Sequence, residues 1–155
     1  MNWAHVHLML NHLPLHGAIA GTVLLGLSIA MKRQAVARAG FVVIVVTAIL
    51  AGAVYWTGEP TEELVESLPG VSESFIERHE EMALVAAIAA AAVGLFALYG
   101  LVALRRGGAP LIVGIAFLLS LLPFGAMAYT AYLGGQIRHS EIRSDAGETG
   151  NGARP

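Results

Sequence analysis

Residues 82–104 read MALVAAIAAAAVGLFALYGLVAL, an apolar run without a single charged side chain. As a helix rising ~1.5 Å per residue it extends ~35 Å, enough to cross the ~30 Å hydrocarbon core of a bilayer. A soluble helix of that length would carry a polar face, and this one has none. Three more runs share the property: residues 8–31, 39–57 and 109–135 contain no Lys, Arg, Asp or Glu. Of the 155 residues, 56% are hydrophobic and 13% charged, whereas soluble domains average about 25% charged. The expected fold is all-α, an integral membrane four-helix bundle. One four-span domain covers residues 1–143, with an acidic segment at 57–81. The Gly-rich polar stretch 144–155 is expected to be a disordered tail.

The connections set an expected orientation. KRQAVAR and RRGG place Lys32, Arg33, Arg38, Arg105 and Arg106 in two short turns, five of the nine basic residues. The positive-inside rule assigns both turns to the cytoplasm. Both termini and the acidic segment then face outward, on the periplasmic side of a bacterial inner membrane. The N-terminus has no basic leader, and Asn11, Pro14 and histidines interrupt its apolar run, so it is expected in the mature protein. Between spans two and three, TGEPTEELVESLPGVSESFIERHEE reads as a short amphipathic helix (PTEELVESL) and a Pro-Gly turn. A lead-in to the third span follows, capped by Ser72 or Ser74.

The opening MNWAHVHLMLNHLPLHG holds His5, His7, His12 and His16, four of the six histidines. Counting upward from the cytoplasmic turns places His12 and His16 ~24–30 Å up, and His5, His7, His79 and His139 ~37–45 Å up. Every histidine and carboxylate therefore falls at the outer side. Pro14 kinks the first helix or starts a new one; in the second case Asn11 caps a helix from about Leu13, and Trp3 to Leu10 form a separate piece. Gly134-Gly135 offers a place where the fourth span could fold back and lower His139.

The chain has no cysteine, which excludes disulfides, thiolate metal sites and covalently attached haem. No basic run suggests nucleic acid. Haem b, one or two groups, needs only imidazoles from different helices and space between them. His7, His12, His79 and His139 are the candidate axial ligands, and Arg138 and Arg143 the candidate partners for propionates. The Ala- and Gly-rich third span either lets helices approach closely or leaves room for such a flat group. That reading implies electron transfer between a membrane quinol pool and an outer partner. A non-haem iron, zinc or manganese site is the alternative, built from His7, His12, Glu59, His79, Glu80, His139 and Glu141. A structural subunit is the third: the histidines then serve as interfacial anchors beside Trp3, Tyr55, Trp56, Tyr129 and Tyr132. A proton-linked carrier is disfavoured, because the inner half of the bundle holds no ionisable residue. Glu62, Glu63 and Glu66 read as a solvated helix face.

HVHLMLNHLP, TGEPTEELVESLPGVSE, RHEEMA and GGQIRHSEIR together resemble a family of small bacterial four-span membrane proteins, a domain-of-unknown-function group. The resemblance implies that His7, His12, Glu59, His79, Glu80, Arg138, His139, Glu141 and Arg143 belong to the family's pattern. It also implies the company of respiratory electron-transfer proteins, without fixing an activity.

Overall fold

A computed structural model describes residues 2–107 and 110–143. Its elements are α1 (Trp3–Leu10), α2 (Leu13–Met31), α3 (Gln34–Trp56), α4 (Glu59–Glu66), α5 (Glu73–Arg105), α6 (Pro110–Arg138) and a 3₁₀ turn at Ser140–Ile142. No strand occurs among the described residues. Four helical runs, Trp3–Met31, Gln34–Trp56, Glu73–Arg105 and Pro110–Arg138, are long and apolar enough to cross a membrane. The chain is a multi-pass helical bundle, as its composition predicts. The expected tail, 144–155, lies outside the described residues.

α2 packs on α3 and α6, and α5 packs on α3 and α6, closing a ring of four antiparallel helices. The turns at Lys32 and Gly107, both at positive φ, lie at one end. The N-terminal helix α1, the acidic helix α4 and the end of α6 lie at the other, here called the histidine end.

The core is held by close approach of small residues. Phe41 and Leu25 are fully buried. A Cβ added to Gly100 would sit 2.5–2.8 Å from three ring atoms of Phe41, and one on Gly94 would sit 2.6 Å from the Ala48 Cβ. The small residues of α5 thus bring α3 and α5 into direct contact, the first of the two uses the sequence allowed. A central cavity of about 10 Å³, lined by Ala18, Ile44, Thr47, Ala90, Val93, Ser120 and Pro123, has room for about one water. Beside it the Thr22 hydroxyl donates to Ser120 Oγ at 2.9 Å, linking α2 to α6.

Three local expectations need correction. The first span is broken at Asn11–His12, with Trp3–Leu10 a separate piece and α2 starting at Leu13 as the second of the two readings has it, but the expected cap is not made. Asn11 ends α1 rather than capping α2, and α2 opens at His12 with no side-chain cap. Pro14, buried in the first turn of α2, lacks only an N–H that has no helical partner there. Ser72 holds the N-cap position of α5 as expected, but its hydroxyl makes no capping bond and lies 3.0 Å from that of Ser74. α6 runs through Gly134-Gly135 to Arg138, so these glycines do not fold His139 back over the bundle.

Candidate cofactor site at the histidine end

α3 ends at Trp56, so the Val54 carbonyl accepts from the Thr57 N–H at 3.2 Å instead of from an N–H four residues on, and can take further donors. α1 packs across α3 and α4 and brings His7 to that end. His7 Nδ1 lies 3.2 Å from the Val54 carbonyl and 3.1 Å from Thr57 Oγ1. Thr57 spends its own proton on Val54 O at 2.9 Å, so both neighbours of Nδ1 act as acceptors. Nδ1 of His7 must then carry the proton, leaving a lone pair on Nε2.

His79, on α5, repeats the arrangement against α6. Its Nδ1 donates to the Thr130 carbonyl of α6 at 3.0 Å, which again leaves Nε2 bare. The approach depends on Gly134, where a Cβ would come 3.0 Å from the imidazole Cε1 and 3.2 Å from Nδ1. Both imidazoles are half-buried, and they lie within electrostatic reach of each other. Two imidazoles from different helices are therefore each fixed by a backbone acceptor with Nε2 uncommitted. In metal proteins this second hydrogen bond orients a histidine ligand and raises its basicity.

Glu62 joins them, against the solvated face expected for it. A Cβ on Gly58 would lie 3.9 Å from both His7 Cε1 and Glu62 Oε1, so the two side chains flank one small space. α4 is pinned there by the buried Thr61 hydroxyl, which donates to Thr57 O at 2.7 Å. The Glu62 carboxyl is pushed up to about 7, chiefly by burial and then by the charges of Glu80, Glu66 and Glu59. The sequence signal was faint: Glu62 stands three residues before the half-buried Val65 and so shares its face.

The raised carboxyl gives a prediction with a definite sign. Between pH 4.5 and about 7 the folded chain holds a proton on Glu62 that the unfolded chain has released. Stability contributed by this site is present below pH 4.5 and is lost as pH rises through 7. Glu62→Gln should thus stabilise the protein at pH 8 and change little at pH 4.5. The gain should stay below about 1 kcal/mol because the group is partly solvated. Thermal unfolding of both proteins at the two pH values checks this; an equal shift at both would contradict it.

The other expected site residues lie apart. His12 is exposed at the α1–α2 break, and its carbonyl lies 2.7 Å from His16 Nδ1. His139 is exposed and pairs with Glu141 at 2.8 Å. Glu59, Glu80 and Arg138 are exposed too, although Glu80 is near enough to Glu62 to act on its charge. Arg143 gives Nε to Gln136 O at 2.8 Å and Nη2 to Ile137 O at 3.0 Å and Gly70 O at 3.2 Å, with its guanidinium 4.6 Å over the Phe75 ring. Asn11 Oδ1 is buried without a partner. Among the described residues, no three or more of His, Asp and Glu are grouped to hold a metal ion. No family model, curated protein or solved structure matches this chain. The resemblance drawn from its motifs therefore stands on those motifs alone.

Proposed function

We propose that this chain is a bacterial inner-membrane b-type cytochrome with its histidine end on the periplasmic side, carrying electrons between the quinol pool and an outer-face partner. The observation that supports it is the pair His7 and His79, each tethered through Nδ1 with Nε2 free. These two are the proposed axial ligands. The tight Gly and Ala packing of α3 on α5 favours the histidine end over mid-bundle for the group. A bound haem supplies reversible one-electron chemistry, and the protein supplies ligation, burial and control of potential. Of the two arginines, exposed Arg138 is the better propionate partner, since Nε and Nη2 of Arg143 are engaged by backbone carbonyls. A second haem would draw on His12 and His139.

One observation favours a second reading. Glu62 brings a half-buried carboxyl to the His7 side, with the charge of Glu80 in reach. Iron, zinc or manganese would relieve that repulsion and would need the surrounding side chains to close in.

A dithionite-reduced minus oxidised spectrum of the purified protein, with pyridine haemochrome and elemental analysis per chain, separates these. Sharp α and Soret bands at one or two haems per chain are the expected result. A flat spectrum from folded protein made in haem-replete cells rejects the cytochrome. Stoichiometric metal without haem would then establish the second reading, and neither would leave the structural subunit.

A further inference from the structure

The structure assigns Arg143 to a latch: its guanidinium holds the 67–72 segment and the end of α6 together over the outer side of His79, and so controls access to that imidazole. The inference rests on the proposed role of His79 for its functional meaning, but not for its geometry. Gln136 and Ile137 belong to the last turn of α6, whose carbonyls have no helical N–H to accept from. Arg143 supplies two of those donors and a positive charge at the negative end of the helix. The same guanidinium reaches across 73 residues of sequence to the carbonyl of Gly70, a residue whose φ of +81° aims the turn. It also lies on the ring of Phe75.

Phe75 is the link to the site. It precedes His79 by four residues, so the two share a face of α5 one turn apart. On α6, Gly134 lies against the His79 ring, and Gln136, a carbonyl partner of Arg143, follows two residues later. One side chain thus joins the turn before α5 to the end of α6 immediately beyond the imidazole, while Thr130 fixes the imidazole from within. Lysine carries the charge but not the fork, and cannot meet carbonyls on two segments in the same geometry.

The test is the rate at which diethylpyrocarbonate modifies each histidine in full-length protein in lipid nanodiscs, followed by mass spectrometry. Arg143→Gln should raise the His79 rate about tenfold, as expected when charge-assisted hydrogen bonds are lost from a local opening equilibrium. Arg143→Lys should fall between. The His7 rate should not change, because His7 is tethered to α3. An unchanged His79 rate would overturn the latch. So would equal rises at His7 and His79, which would mean general loosening. A haem held by His79 would block the reagent, so the rate is read on the haem-free chains, where the labelling needs no cofactor and separates the latch from the cytochrome reading.

Discussion

If the chain is the cytochrome proposed above, His79→Ala is expected to yield a folded bundle whose bound haem per chain falls more than tenfold; His7→Ala should do the same. Each change removes a bare Nε2 that a backbone acceptor holds in place, one of the two proposed ligands. Removing only the tether should be milder: changes to such outer partners of a histidine ligand cost about 10–100-fold in affinity. Thr57→Val, which deletes a neighbour of His7 Nδ1, is therefore expected to weaken retention while leaving bands in freshly purified protein. His12→Ala and His139→Ala are the contrasts. Both residues are exposed, and His139 is occupied by Glu141. For a single-haem protein both should keep the full spectrum. The measurement is pyridine haemochrome per chain, with helical circular dichroism to show that each variant is folded. A full complement of haem in His79→Ala would sink the assignment of that ligand, and loss in His12→Ala would move it to the α1–α2 break.

The contrast shows what the sequence could carry. The four spans were legible because a bilayer demands long runs without charge, and composition records that demand directly. The end of the bundle that the histidines reach was legible too, since each helical residue adds a fixed rise. Rotation about each helix axis was not. Which of the six histidines at that end turn inward depends on packing against neighbours that no local pattern states. His79 faces inward because Gly134, 55 residues later, leaves room for its ring. His7 does so because α3 stops at Trp56 and leaves the Val54 carbonyl without a partner four residues on, open to a side-chain donor. The contacts of Arg143 were not legible in the sequence either. An arginine near a suspected haem suggests a propionate, but a helix end with unpaired carbonyls competes for the same donors. Glu62 was hidden among acidic neighbours in a short amphipathic helix, and only the docking of α4 under α1 singles it out.

Gly100→Leu is expected to be the most destabilising single change in the spans. Even the first carbon of a side chain there would lie 2.5–2.8 Å from Cζ, Cε1 and Cε2 of Phe41. A ring at the surface could swing aside, but Phe41 is fully buried, so relief requires α3 and α5 to separate. Forcing extra methylenes into a packed core costs typically 1–3 kcal/mol. Gly100→Ala adds one carbon and recovers up to about 1 kcal/mol of helix propensity, so its net loss should be smaller, up to about 2 kcal/mol. Leucine adds three further carbons at the same contact and should exceed the usual range. Gly52 and Gly114 provide the control, because a Cβ at either meets nothing within 4 Å. Gly52→Ala and Gly114→Ala should be neutral or slightly stabilising. Phe41→Leu, which shortens the opposing side chain, should restore much of the stability lost in Gly100→Leu. Thermal unfolding in a fixed detergent, followed by helical circular dichroism, reads all of these on one scale. If Gly100→Leu unfolded with the native protein, α3 and α5 would not be in the contact described. The consequence reaches the site as well: His7 is tied to α3 while His79 stands on α5, so the spacing of the two imidazoles is set by how closely those helices meet. Gly100→Leu should therefore weaken cofactor retention at a temperature where the bundle is still helical, and Phe41→Leu should restore it in parallel with stability.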